Sequence, residues 1–381
     1  MLRAFPFNRS IQLAMTPEHS HFLCDDDELQ ERILRIDPRA YDKTRNHLDG
    51  AVTWLSPFVC HGIIDTTTLA ESLIERFSPK DCYRFLYELA WREYFHRTWQ
   101  RQGESIFSDL LHTQEASSDL MPDAIQHAST GINVLDQSIN HLMSHGTLHN
   151  HARMWVAGIT CNTAKTGWYE PARWMHYHLL DGDLASNTLS WQWAAGTFSH
   201  KQYIANQQNL NKFSGSTQTG SWLDCSYELL GELAVPEILC ERSQWQRRET
   251  DLSSVLDVKA VQPISGEVAI HSIWNLDKYW ERSIEQHVLF LDVEFFTQWP
   301  LSPNRWQLIR HWLPEGTVVI SGTLDELKSA CSKAMPVYRE YPACLGWPGR
   351  QTPRRWVYPD PPEDYQSFSQ YWKRVRKHVG L

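Results

Sequence analysis

Hydrophobic and polar positions recur with a helical period through most of the first part of the chain. One such stretch runs from His149 to Ala195 and is broken at Gly167. Pro171 follows this break, where the first turn of a new helix tolerates a missing N–H. The pattern predicts two helices whose faces meet at one site.

Both predicted helices carry polar residues on one face. On the first helix, Asn150, Arg153 and Met154 stand at i, i+3 and i+4, so an amide, a cation and a thioether are neighbours. On the second helix, an acid, an amide and an indole recur every four residues: Asp183, Asn187 and Trp191. Periodicity leaves two interpretations open, an aromatic-rich core with its charges paired inside it, or a binding site.

The pattern changes toward the end of the chain. Residues 242–266 are polar and irregular, which is typical of a linker. After them the short apolar runs VAIHSI, HVLFLDVEF and TVVISG alternate with helical patterns, as in a parallel α/β sheet. We therefore predict a mainly α protein, with a helical domain over 1–241, a linker over 242–266 and a small α/β domain over 267–381.

Composition narrows the possible functions. With 381 residues, 42% of them apolar, the chain can bury a sizeable core, and no apolar run reaches membrane-spanning length. The net charge of −9 excludes a global basic field, so a nucleic-acid partner has to be held by a local patch. Eight scattered cysteines without CxxC pairs, and a start, MLRAFPFNRSIQL, without a signal-peptide core, favour the cytoplasm.

A histidine pair raises the question of a metal. His141 and His145 are one helical turn apart, but Gly146 ends the helix before His149, so no third ligand follows in register. We predict no metal site.

The central stretch resembles the FAD-binding domain of the photolyase and cryptochrome family. HNHARM, Trp168, DGDLASN and WQW stand in the places of that family's motifs, and they are closest to those of the cyclobutane-dimer photolyases. FLYELAWREYFHRTW resembles a further helix of that domain, and AVTWLSPF resembles its phosphate loop. The family's usual α/β antenna domain is not found ahead of these motifs. VLFLD, VVISGTLDEL and YQSFSQYWKRVRKH look like parts of it, so the last segment is either a permuted remnant of the antenna domain or an unrelated α/β module.

The resemblance implies FAD as the cofactor and leaves the antenna chromophore unidentified. It implies an Arg153–Asp181 pair, Asp183 toward the N–H edge of the flavin ring and Asn187 facing N5. Ser56, followed by Pro57, reads as a helix N-cap beside the diphosphate. The complete set of implied FAD contacts is Tyr41, Thr53, Leu55, Ser56, Arg92, Asn150, Arg153, Asp181, Asp183 and Asn187.

The resemblance also implies a substrate, damaged DNA carrying a cyclobutane pyrimidine dimer. In the reaction it implies, reduced flavin excited by blue light donates an electron, the cyclobutane ring splits, and the electron returns. Implied substrate contacts are Glu88, Trp91, His151, Met154 and Trp193; implied catalytic residues are Glu88, Asn150, Trp191 and Trp168, the last two in electron transfer. A cryptochrome-like light sensor without repair activity and a helical binding module without flavin are the alternatives.

Overall fold

The computed structural model describes residues 16–247, 250–361 and 365–381. The expectation that the N-terminal segment carries no signal-peptide core falls on residues outside these ranges. Among the described residues, no helix combines the length and the apolar character needed to cross a membrane.

The first part of the chain is helical. Its α-helices are α1 (Asp26–Leu34), α2 (Pro38–Thr44), α3 (Ser56–Cys60), α4 (Thr66–Ile74), α5 (Pro79–Gln102), α6 (Asp123–Gln126), α7 (Asn133–His145), α8 (Asn150–Gly158), α9 (Tyr169–His178), α10 (Leu184–Ala195), α11 (Gln207–Ser214) and α12 (Tyr227–Glu232). Two short strands, β1 (Met121–Pro122) and β2 (Arg242–Ser243), pair in an antiparallel ribbon.

Helix α10 is central because it packs against α5, α8 and α9. The predicted break before α9 is present: α8 runs into one π-helical turn (Ile159–Thr163), and α9 begins at Tyr169, after Gly167. Asp183 caps α10, its Oδ1 accepting from the Ser186 N–H at 2.8 Å. Helices α8 and α10 pack directly against each other.

The second part of the chain is a parallel sheet flanked by helices. Its strands are β3 (Val258–Ala260), β4 (Ser265–His271), β5 (His287–Asp292), β6 (Val318–Gly322), β7 (Lys333–Arg339) and β8 (Arg350–Thr352), in the order β3-β6-β5-β4-β7-β8. Its helices are α13 (Val293–Gln298), α14 (Pro303–Trp312), α15 (Leu324–Ala330) and α16 (Phe368–Val375). The predicted fold class, helices followed by a small α/β part, is confirmed.

The segment expected to be a linker is more ordered than predicted. Residues 242–266 contain β2, β3 and the first residues of β4. The strand β3 lies at the sheet edge, where Lys259 and Ala260 are exposed, so its sequence lacks the apolar run that marks a buried strand. The division into three segments stays a prediction.

The two parts of the chain share one hydrophobic core. Phe58 and Leu86 of the helical part belong to the same buried cluster as Phe290 of the sheet and Tyr371 of α16. The sheet and the last helix therefore pack directly against the helices that carry the predicted site.

Candidate functional site

An ion pair joins α8 to the turn before α10. Nη2 of Arg153 donates to both carboxylate oxygens of Asp181, at 2.9 and 2.8 Å, while its Nε donates to the Leu148 carbonyl. The Asp181 side chain is 7% exposed and that of Arg153 25% exposed. The predicted pairing is present.

Ser56 also lies beside Asp181 and interacts with its carboxylate. Burial alone raises the pKa of Asp181, but the Arg153 charge and the Ser56 hydroxyl outweigh it and hold the pKa below its usual range. Ser56 is not the N-cap that was predicted: it is the first residue of α3, and Leu55 holds the cap position without a side-chain hydrogen bond. The Ser56 side chain lies beside Asp181 instead.

The carboxylate of Asp183 is held by side chains from both parts of the protein. Its Oδ2 accepts from Nη2 of Arg92 (3.2 Å), from Nε2 of His96 (2.8 Å) and from the Tyr341 hydroxyl (3.0 Å). This carboxylate was expected to face the edge of a flavin ring. Three donors on Oδ2 leave only Oδ1, the capping oxygen, for a further contact.

The proton on His96 can be assigned from its neighbours. Nη1 of Arg354 lies 2.9 Å from His96 Nδ1, and a guanidinium only donates, so Nδ1 accepts and Nε2 carries the proton given to Asp183. Burial, together with the positive charge of Arg354, lowers the pKa of His96 to about 3 despite the attraction of Asp183. The imidazole is therefore a neutral donor.

A buried arginine from α14 approaches the same turn. Arg305 is fully buried, with Nε 3.3 Å from His61 Nε2 and Nη1 3.5 Å from His176 Nε2. A Cβ on Gly182 would lie 2.5 Å from Nη1 of Arg305 and 2.6 Å from the His176 carbonyl oxygen. The glycine between Asp181 and Asp183 is required by this close approach.

The remaining predicted cofactor contacts are placed as follows. Nδ2 of Asn187 donates to the Ala172 carbonyl at 2.9 Å, and the side chain is half-buried. Tyr41 packs edge to face on a phenylalanine of α5 at 5.1 Å. Thr53 Oγ1 accepts the Leu55 N–H at 3.4 Å, and Leu55 itself is buried. Tyr41 and Leu55 thus contribute packing.

Four predicted substrate contacts and Asn150, a predicted catalytic residue, reach solvent on α5, α8 and α10, although α10 packs on both other helices. Asn150 is exposed, and the other four are half-buried: Glu88, Trp91, Met154 and Trp193. Glu88 is flanked by Arg45 Nε at 3.5 Å and Arg84 Nη1 at 4.0 Å. Its pKa is raised because burial outweighs these two charges.

Two predicted substrate contacts have protein rings against them. Trp91 is stacked on Phe368 of α16, with centroids 3.7 Å apart and planes 11° apart. His151 is buried, 4.3 Å from the Phe213 ring and 5.1 Å from that of Trp155, and burial lowers its pKa to about 4. The prediction that His151 touches DNA does not fit this position, because its ring is enclosed by core aromatics.

The two tryptophans expected in electron transfer are both buried. Trp191 is 1% exposed, and its Nε1 has no partner among the described residues. Trp168 is 4% exposed and donates to Asp109 Oδ1 at 2.7 Å. They belong to the same core cluster.

No group of three metal-ligating side chains occurs in the part of the chain that the structure describes. His141 and His145 stack with centroids 4.6 Å apart, and Nε2 of His141 lies 2.9 Å from the Thr147 hydroxyl.

Sequence reasoning missed four residues of this site. His96 lies one turn after Arg92 on α5. The helical spacing in the sequence was therefore enough to predict that the two side chains share a face. Arg305, Tyr341 and Phe368 come from the second part of the chain, and no local pattern links them to α8 or α10.

Part of this chain is similar in sequence to known proteins. Residues 85–220 match the FAD binding domain of DNA photolyase. A deoxyribodipyrimidine photo-lyase from Streptomyces griseus is 32% identical over 163 residues, covering 41% of this chain and 35% of the relative. Cryptochrome DASH from Danio rerio is 29% identical over 166 residues, covering 41% and 32%. The match spans about a third of the length of these curated relatives.

Among solved structures, a bacterial class III photolyase from Agrobacterium tumefaciens aligns with a TM-score of 0.42 at 27% identity, over 52% of this chain and 43% of that one. By its sequence, segment 85–220 matches a FAD-binding domain, and it carries a helical polar site. The chain is similar to proteins of the photolyase and cryptochrome family, and its cofactor is FAD.

The described residues fit such a cofactor. Nε of Arg92 and Oγ of Ser186, both on side chains beside Asp183, are buried without a partner among the described residues. Ser56 and Asn150 are exposed next to the half-buried Arg153. Unpaired donors together with exposed polar groups suit a ligand rich in phosphate and carbonyl oxygens.

Proposed function

We propose that this protein is a blue-light-driven lyase that uses FAD to split cyclobutane pyrimidine dimers in DNA. The observation that carries the proposal is the partial exposure of Glu88, Trp91, Asn150, Met154 and Trp193 at the meeting of three packed helices. Two indoles and a thioether are costly to leave in water unless a ligand covers them. The cytoplasmic location stays a prediction.

FAD, when bound, supplies light-driven electron donation to the dimer. The contribution of Arg153 is a fixed positive charge, held in place by Asp181 and by the Leu148 carbonyl. Such a charge stabilises anionic character in a bound ring.

Glu88 would act on the lesion. In its protonated form the carboxyl would donate a hydrogen bond to a pyrimidine carbonyl as negative charge develops there, and burial raises the pKa of Glu88 in that direction. Removing one preorganised donor of this kind costs about 2 to 4 kcal/mol of transition-state stabilisation. Arg45 and Arg84 lie beside Glu88, and each is also ion-paired with Asp42.

One observation favours the second candidate, a light sensor without repair. Phe368 covers one face of Trp91, so a pyrimidine can stack only on the other face. If α16 stays on Trp91 when light is absorbed, the helix competes with the lesion for that ring. The protein would then act as a light sensor.

The test is repair of an oligonucleotide with a single thymine dimer under blue light, using FAD-loaded protein. Glu88→Ala should keep its FAD and lose most repair per absorbed photon, whereas Glu88→Gln, which keeps a neutral donor, should retain most of it. Glu31→Ala, which removes an exposed carboxylate from α1, is the matched control. Absence of light-dependent repair in the parent protein refutes the lyase proposal and leaves the sensor. Equal loss in the Ala and Gln variants refutes the donor role of Glu88.

A further inference from the structure

Helix α16 lies antiparallel along the first half of α5. Phe368, the first residue of α16, stacks on Trp91. One turn later, Trp372 donates from Nε1 to the Tyr83 hydroxyl at 3.3 Å, so the contacts move toward the start of α5 as α16 advances. Four residues form the apolar face of α16, and each is at most 6% exposed: Phe368, Tyr371, Trp372 and Val375. The outward face of α16 is therefore left to its polar residues.

The turn that follows α16 reaches the first residue of α5. A Cβ placed on Gly380 would lie 3.5 Å from Cγ of Pro79. At a rise of about 1.5 Å per residue, the helix from Pro79 to Trp91 is about 18 Å long. The residues that lead from α16 to Gly380 thus lie up to about 18 Å from Trp91 along α5.

This last segment is strongly basic. Its sequence runs WKRVRKH, and no Asp or Glu occurs from Gln366 to Leu381, in a protein whose net charge is −9. Lys373, Arg376 and Lys377 are exposed and form no ion pair with the described residues. A helix end favours nearby cations, but three of them without an acid repel one another, and an anionic partner removes that repulsion. The segment therefore fits a polyanion.

The surroundings of the cations favour a nucleic acid over a membrane. A helix that binds lipid inserts its apolar face, and in α16 that face is buried against the protein. Lys80, Glu88 and Trp91 share one face of α5, at i, i+8 and i+11. Lys80 follows Pro79 directly and is exposed, without an ion pair among the residues that the structure describes. The face of α5 that carries proposed substrate contacts thus begins with positive charge, beside the basic segment.

We propose that a basic surface formed by Lys80, Lys373, Arg376 and Lys377 binds the phosphate backbone of a DNA duplex beside the lesion. The proposal rests on DNA being the partner, as in the proposed function, but not on repair. Phosphates of one strand are ~3.4 Å apart along the duplex axis, so the surface would meet the duplex about five base pairs from the lesion. Contacts to phosphate add affinity without reading sequence. All four residues lie outside segment 85–220, which matches the FAD binding domain.

The first test is the salt dependence of binding to an undamaged duplex, measured by fluorescence anisotropy in the dark with the FAD-loaded full chain. Each lost phosphate contact reduces the slope of log K against log salt by about 0.9. The triple variant Lys373→Gln, Arg376→Gln, Lys377→Gln should reduce the slope by about 2 to 3. It should also bind roughly tenfold more weakly at low salt, as expected for three exposed charge contacts.

A second triple variant is the matched control, because it makes the same change in net charge. It is Lys259→Gln, Lys333→Gln, Arg350→Gln, and it removes exposed cations from strands of the sheet. Its slope should stay close to that of the parent. The single variant Lys377→Gln should reduce the slope by about one, and it decides the matter if circular dichroism shows that the first triple variant is unfolded.

Duplexes that carry one thymine dimer test the position of the surface. With about ten base pairs on each side of the dimer, the parent should bind more tightly than the first triple variant. With about three base pairs on each side, the two proteins should bind alike, because the duplex no longer reaches the surface. A difference of the same size with both duplexes would contradict the proposed position.

Three further results would overturn the proposal. They are no binding of the parent to any duplex, an equal loss of slope in both triple variants, and weaker binding of the first triple variant to phosphatidylserine vesicles with DNA binding unchanged. The last result would assign the surface to lipid. Expected slopes in a protein that shows no light-dependent repair would support this surface and refute only the lyase function.

Discussion

Replacement of Asp181 by Asn tests the ion pair at the centre of the proposed FAD site. The change keeps the shape of the side chain but leaves Arg153 without the carboxylate to which Nη2 donates at 2.8 and 2.9 Å. Breaking a fully buried pair costs about 3–5 kcal/mol. Because a quarter of the Arg153 side chain remains in water, we expect a smaller cost, about 1–3 kcal/mol.

The expected result is an FAD dissociation constant that rises about 5- to 150-fold, measured from the fluorescence of free flavin on dilution. Glu170→Gln is the control, because it breaks a 2.8 Å pair with Arg173 on α9. The pKa of Asp181 is lowered in the folded protein, so its stabilisation is present above the ordinary aspartate pKa of about 4 and is lost as pH falls below it. If Asp181→Asn retains FAD as tightly as the parent, the pair does not hold the site.

Two further predictions concern the packing of the second part of the chain on α5. Phe368→Ala should lower the free energy of unfolding by about 3–5 kcal/mol, measured in urea, because it removes the ring stacked on Trp91; no loss would mean that α16 is not docked. Burial raises the pKa of Glu93, which accepts the Val357 N–H, to about 7 from 4.5. The folded protein therefore holds a proton that the unfolded chain has lost, and stability should fall by up to ~3 kcal/mol as pH rises from about 4.5 to about 7. Glu93→Gln should lack this fall, and an identical pH profile in both proteins would contradict the assignment.

Local patterns predicted those features that depend on neighbours in sequence. The break at Gly167 and the end of α7 at Gly146 follow from turn and capping chemistry, and both are present. The Arg153–Asp181 pair was expected from the resemblance and is also present.

Long-range packing accounts for what was missed. Ser56–Pro57 has the sequence of a helix cap, yet Ser56 is the first residue of the helix and lies beside Asp181, which belongs to a turn distant in sequence. Tyr341 and Asp183 are 158 positions apart in sequence, and no periodic pattern predicts a contact over that separation. His151 stands at a motif position, but its exposure depends on Phe213, which packs over it from α11.

The hydrogen bond between Tyr341 and Asp183 has a consequence for synthesis of the protein. Helices α5 to α10 leave the ribosome early and can assemble through local contacts, but the carboxylate at their centre still lacks Tyr341 until the sheet has formed. The last helix, which stacks on Trp91, emerges later still. We therefore expect ribosome-bound chains that end before β7 to be compact but to retain flavin poorly, so that stable cofactor binding follows synthesis of the sheet.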